Sequence, residues 1–273
     1  MAFRPLHRSH IRHAAWLLFG LMACAPDAPV SPTLGPTSAA LASRQGTTAS
    51  TILFNGAVPT LAGNTLDHVF AINDDGTGVR QLVTSRSLYG AWAPDGKHIL
   101  FSKLIADAFV ISIMNADGTG IIDLTSPPDQ CVDVRPRALG KQVAFLRVGG
   151  ACPDYGLFLM NADGTSRSLL DASPNSNSNL AAAPKGARIA YQRFDGDIWL
   201  RDLGTGGLTN LTKGGGGFNP AFSPSGKQLV FTRGRSIYVM NDDGTGISQL
   251  TSPPSGFLDD FAQWSPDGKS IAF

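Results

Sequence analysis

The chain repeats itself every 40 to 47 residues, and this constrains its fold more than any other feature. An apolar triplet recurs six times, as Ile52-Leu53-Phe54, Ile99-Leu100-Phe101, Val143-Ala144-Phe145, Ile189-Ala190-Tyr191, Leu229-Val230-Phe231 and Ile271-Ala272-Phe273. Between the triplets runs a second apolar stretch that ends in a Gly turn: Asn73-Asp74-Asp75-Gly76, Asn115-Ala116-Asp117-Gly118, Asn161-Ala162-Asp163-Gly164, Asp202-Leu203-Gly204 and Asn241-Asp242-Asp243-Gly244. A third element, Trp92-Ala93-Pro94-Asp95-Gly96-Lys97, returns at 222–227 and 264–269 and is blurred at 182–186 and 136–141. Proline fixes φ and glycine accepts positive φ, as a tight connection between antiparallel strands requires.

A period in the forties with four short strand signals per unit is the pattern of propeller blades. Helical repeats of that length would instead space their apolar residues by 3.6. Composition agrees, because all 21 acidic residues are Asp, Glu is absent, and Gly (31) and Pro (18) are abundant; such a chain is poor in helix formers. The expected fold is all-β, a β-propeller of four-stranded blades with five repeats and a partial blade. This is the six-bladed type, either an incomplete ring or a fragment of a longer chain. In the fourth repeat the strands are expected, from the inside outward, near 219–222 (A), 228–232 (B), 236–240 (C) and 248–251 (D), in a meander around a central channel.

Three regions are expected: 1–23 a lipoprotein signal peptide, 24–50 a flexible tether and 51–273 the propeller. The signal has a basic start with Arg4, Arg8 and Arg12, then an apolar run from Ala14 to Ala23, too short for the ~20 residues of a spanning helix. Leu21-Met22-Ala23-Cys24 resembles the bacterial lipobox, in which Cys24 is lipidated and becomes the new N-terminus. The competing reading is an ordinary signal peptide that leaves no anchor. Ala25 after Cys24 favours outer-membrane sorting by the same resemblance. Residues 25–50 are rich in Pro, Ala, Ser and Thr and carry only Asp27 and Arg44 as charges, the composition of a tether. Loss of the three leader arginines leaves 19 Lys and Arg against 21 Asp, which gives no footprint for nucleic acid.

Ile237–Gly244, Gln249–Thr251 and Trp264–Phe273 together resemble the repeats of the TolB-like propeller family, and the likeness extends from about Thr51 to Phe273. The family's namesake has an extra N-terminal domain and a non-lipidated signal where this chain has a tether and a lipobox. The resemblance implies a propeller face that receives an envelope lipoprotein. Related propellers also accompany hydrolase domains in the prolyl oligopeptidase family.

No catalytic or metal constellation stands out. Only His68 and His98 remain after export, and no Gly-x-Ser-x-Gly elbow is present. The Asp-rich Gly turns lack the alternating ligands and distal acid of a calcium loop, and turn chemistry alone explains them. Asn210-Leu211-Thr212 reads as an outer strand, and 214–217 as a flexible connection between blades. Cys131 and Cys152 are expected to form a disulfide. Export allows one, Cys24 is consumed by lipid, and the start of strand A lies beside the end of strand B in one hairpin; two free thiols are the alternative.

The candidate binding site is the channel mouth. Counting back from the Pro-x-Gly turn places Tyr89, Asp133, Asn179, Asn219 and Phe261 at the starts of the A strands, where aromatic, amide and acid groups can grip a ligand. The expected function is a binding module on the periplasmic side of the cell envelope. It would be held to the membrane by lipid, need no cofactor or metal, and engage an envelope protein or a cell-wall or sugar polymer. The alternatives are a propeller-type polysaccharide lyase or hydrolase, or the non-catalytic propeller of a split peptidase. If Cys24 carries the anchor, Cys24→Ala releases the protein from the membrane fraction and changes its processed mass, because multiple acyl chains hold firmly; membrane fractionation with mass spectrometry reads both, and an unchanged result refutes the lipid.

Overall fold

The structure, a computed structural model, describes residues 51–59, 65–177 and 179–273. The expected signal peptide and tether, with Cys24, lie outside the described residues. Within them every regular element is a β-strand, and the strands follow one another as antiparallel meanders. The first sheet has three strands, β1 (Thr51–Pro59), β2 (Thr65–Asn73) and β3 (Arg80–Gln81). Its β1 carries the triplet of a B strand.

Four complete blades come next. They are β4 (Ser87–Trp92), β5 (His98–Ile105), β6 (Ala108–Asn115) and β7 (Ile122–Asp123); then β8 (Val132–Leu139), β9 (Gln142–Val148), β10 (Gly156–Asn161) and β11 (Ser168–Asp171). The next two are β12 (Ala181–Ala182), β13 (Arg188–Gln192), β14 (Ile198–Asp202) and β15 (Leu208–Asn210), then β16 (Phe218–Phe222), β17 (Gln228–Arg233), β18 (Ser236–Asn241) and β19 (Ser248–Gln249). A two-stranded pair, β20 (Gln263–Trp264) and β21 (Ile271–Ala272), ends the described chain. The architecture is a β-propeller of five blades, the first of them three-stranded, followed by this pair. The innermost strands stand side by side, β4 against β8, β8 against β12, β12 against β16 and β16 against β20.

The apolar triplet is continuous because the B strand is buried on both faces. Successive side chains of a strand point to opposite sides. Ile99 and Phe101 join Leu53, Val69 and Met114 in the layer toward the first sheet, while Leu100 joins Val143 and Phe145 in the layer beyond. The same split recurs in β9, where Val143 and Phe145 face one layer and Ala144 and Leu146 the next. In β17, Leu229 and Phe231 face back and Val230 forward. All these side chains are 0% exposed, and each fully buried large one contributes about 1.5–3 kcal/mol.

The outer motifs lock blade to blade. In the turn after β10, Thr165 donates both its backbone N–H (2.9 Å) and its hydroxyl (2.6 Å) to Asp163 Oδ1. The same pair forms at Asp75–Thr77, Asp117–Thr119 and Asp243–Thr245. These hydroxyl and backbone bonds hold the four turn carboxyls below the ordinary range. In three of these turns the closing glycine, Gly118, Gly164 or Gly244, abuts the preceding blade. A Cβ on Gly164 (φ 85°) would lie 2.7 Å from the Leu124 carbonyl oxygen, and one on Gly244 (φ 83°) 2.5 Å from that of Leu211. The Leu-Thr that follows three of the outer strands has its own role: Thr125, Thr212 and Thr251 accept the backbone N–H of Ile111, Ile198 and Ile237 at 2.9–3.0 Å.

The glycine run 214–217 is an ordered wrap, not a loose connection. Asp197, 5% exposed, accepts from Asn210 Nδ2 and Thr212 Oγ1 at 2.7 Å, from Gly214 N at 2.7 Å and from Gly216 N at 2.9 Å. A Cβ on Gly217 (φ 155°) would sit 2.9 Å from the Phe231 ring. Burial pushes the Asp197 carboxyl up, but these four hydrogen bonds outweigh it and hold the group below the ordinary value of 3.8. A depressed carboxyl contributes its full stability above the ordinary carboxylate pKa of ~3.9 and loses that contribution as pH falls below it and through the group's own lowered value. Asp197→Ala is therefore expected to cost about 2–4 kcal/mol at pH 7, since several buried donors lose their acceptor, with the deficit narrowing toward pH 3. Urea unfolding of both proteins across that range measures it.

Candidate functional site

The inner strands carry a shared irregularity. Their pairing with the B strand slips between Leu88 and Ala91 in β4, between Val134 and Arg137 in β8, and between Phe218 and Ala221 in β16. The residue opening each slip is left-handed: Tyr89 at φ 59°, Arg135 at 57°, Asn219 at 51°, and Phe261 ahead of β20 at 56°. Such a conformation costs a non-glycine residue ~1–2 kcal/mol and persists only where the surroundings impose it.

Here the surroundings are the neighbouring blades. Asn55 of β1 accepts the Tyr89 backbone N–H at 3.1 Å and donates to the Ser87 carbonyl at 3.4 Å. The Arg135 guanidinium lies over the Tyr89 ring, 4.3 Å from its centroid, a cation–π contact. It also donates Nη1 to Asn179 Oδ1 at 2.5 Å and Nε to the Ser176 carbonyl at 3.2 Å. The Asn179 backbone N–H donates to Asn219 Oδ1 at 3.0 Å, and Asn219 Nδ2 reaches both Asp260 oxygens at 2.9 and 3.1 Å. Asp260 Oδ1 additionally accepts from Thr232 Oγ1 at 2.6 Å and from the Phe261 backbone N–H at 2.7 Å. A belt of polar contacts thus runs from Asn55 to Asp260 across successive blades.

Of the residues expected at the mouth, Tyr89, Asn179, Asn219 and Phe261 take part in this belt. Asp133 does not. It is 0% exposed and forms a bidentate ion pair with Arg147, at 2.7 and 2.8 Å, while the Arg147 guanidinium lies 5.2 Å from the Phe158 ring centroid. Arg135 holds the belt position instead. The hairpin from β8 to β9 closes directly, with Leu139 opposite Gln142, whereas Trp92 pairs with Ile99 across the longer Pro-x-Gly turn. Counting back through the shorter turn lands two residues early. A usable signal was present, since Arg135-Pro136 matches Asn219-Pro220.

Cys131, just before β8, is joined to Cys152, just after β9, with a Cα–Cα distance of 4.9 Å, which ties the two ends of that hairpin at the level of the mouth. Below the belt opens a cavity of about 160 Å³ whose walls include Arg137, Asn179, Leu180, Ala181, Pro220 and Gln263. Arg137 donates Nε to the Leu180 carbonyl at 3.2 Å and Nη1 to the Pro136 carbonyl at 2.9 Å. Burial, reinforced by the charge of Arg135, lowers the Arg137 guanidinium to about 10.

The profile of the TolB beta propeller domain matches residues 135–273, just over half of the chain. The chain belongs to the TolB β-propeller domain family. It is 31% identical over 99 residues to a protein TolB homolog of Chlorobium chlorochromatii, an alignment of 34% of this chain and 22% of that protein. It is also 25% identical over 239 residues to dipeptidyl-peptidase 5 of Porphyromonas endodontalis, covering 66% of this chain and 35% of that one. The chain therefore spans only part of the length of these curated relatives. The crystal structure of TolB from Acinetobacter baumannii shares the fold, with a TM-score of 0.62 and 19% identity over 75% of this chain and 53% of that one. The match to TolB rests on the blade motifs and the fold, and this chain is a distant TolB-like propeller, not TolB itself.

Proposed function

We propose that this TolB-like propeller is an exported, lipid-anchored binding module of the cell envelope that engages a protein or polymer at its channel mouth. The observation that carries the reading is the cross-blade belt. It fixes Tyr89, Arg135, Asn219 and Phe261 in costly left-handed conformations at one level of the inner strands, and strain of this kind gathers where a ligand is held. Family membership supports an envelope role, and the leader with Cys24 supplies the export route and anchor. We read β20–β21 as the opening half of a sixth blade. The alignment with dipeptidyl-peptidase 5 favours a second reading, the non-catalytic propeller of a peptidase, which expects a stable complex with a hydrolase.

A Cys24→Ala background removes the anchor, so that co-sedimentation with isolated envelopes reports the propeller alone. Replacing Tyr89 and Phe261 together by Ala is expected to weaken that association by about 2–4 kcal/mol, the range for paired aromatic anchors. Unchanged association with native circular dichroism would move the site to the opposite turn face.

A further inference from the structure

We propose that the cavity below the belt takes the C-terminal carboxylate of a protein tail, with Arg137 on its wall as the receptor and Arg135, two residues away on the same strand, as the neighbouring cation; this rests on the mouth being the binding face. Both arginines belong to β8 and both reach toward the neighbouring inner strand. Their acceptors are all neutral: the Ser176 carbonyl and the Asn179 amide for Arg135, the Leu180 and Pro136 carbonyls for Arg137. Among the described residues neither is ion-paired, whereas Arg147, Arg188 and Arg193 each pair with an aspartate. The nearest buried carboxylate on the same strand, Asp133, is spent on Arg147. Asp260, at the far end of the belt, is engaged by Asn219, Thr232 and the Phe261 amide.

Two adjacent, half-buried cations without a counter-ion are unfavourable for the empty fold. An anion bound in the cavity against Arg137 offsets that cost. A guanidinium has five N–H donors, and the Nη2 group of Arg137 is not engaged by its two carbonyl acceptors. That leaves donors on the cavity wall suited to a planar carboxylate.

The remaining walls select the carrier of that carboxylate. Leu180, Ala181, Ala182, Pro220, Ala221 and Phe222 supply apolar surface to a cavity of about 160 Å³, alongside Asn179 and Gln263. A terminal residue with a small aliphatic side chain meets that lining without loss. A uronate ring would set most of its hydroxyls against these apolar side chains, with only Asn179 and Gln263 to meet them.

The test uses the full chain carrying Cys24→Ala and three probes: N-acetyl-Ala-Leu with a free carboxylate, the same dipeptide as its C-terminal amide, and trigalacturonate. Calorimetry is expected to show the acid binding at least about tenfold more tightly than the amide, as for loss of a charge-assisted pair. Arg137→Met should weaken the acid by a similar factor while keeping or raising Tm, because an unpaired buried charge is removed. Equal affinity for acid and amide, or binding of neither, overturns the proposal, and that comparison needs no variant to fold. Tighter, competitive binding of trigalacturonate overturns it in favour of an anionic sugar. If the acid fails while the Tyr89 and Phe261 pair still governs envelope association, the mouth stands as the binding face and only the carboxylate assignment falls.

Discussion

Burial of the B strand on both faces is the constraint on which the rest of this propeller depends. A strand such as β9 cannot be satisfied within its own blade, because Val143 and Phe145 belong to one apolar layer and Ala144 and Leu146 to the next. Each blade therefore needs a neighbour on either side, as in other repeat folds. Close stacking in turn requires the glycine turns, where Gly118, Gly164 and Gly244 press against backbone carbonyls of the preceding blade. The sheets meet most closely at their inner strands, and that proximity lets a side chain of one blade bond the backbone of the next.

The belt is the functional consequence of that proximity. A left-handed Tyr89 or Phe261 is unfavourable in isolation, yet Asn55 and Asp260 accept their amides and hold them there. Preorganisation of this kind lowers the ordering cost of binding. Arg135 belongs to the same account, since it ties its blade to Tyr89 on one side and to Asn179 on the other.

Much of this was legible in the sequence, because a repeated triplet, a repeated turn and a repeated Pro-x-Gly each have one local meaning. The fourth complete blade has its strands where the sequence puts them, and Cys131 and Cys152 meet because they flank one hairpin. The mouth is less legible. Counting back from the Pro-x-Gly turn reaches Asp133, because that turn is two residues shorter in this blade, and Arg135 holds the position equivalent to Tyr89. The glycines at 214–217 looked like slack in the chain, since nothing in the sequence says that the Asp197 carboxylate gathers their amides. Such long-range satisfaction of a buried charge leaves no periodic trace.

The central claim, that the mouth is a rigid structure imposed by neighbouring blades, is tested most directly by native-state hydrogen exchange on the free protein. The backbone amides of Tyr89, Asn179 and Phe261 are each held by a side chain, the first two from an adjacent blade. The account predicts protection close to that of the buried triplets at Leu100 and Ala144, because exchange then requires the blades to separate. Exchange as fast as at the exposed hairpin tip of Ala106 and Asp107 would contradict it.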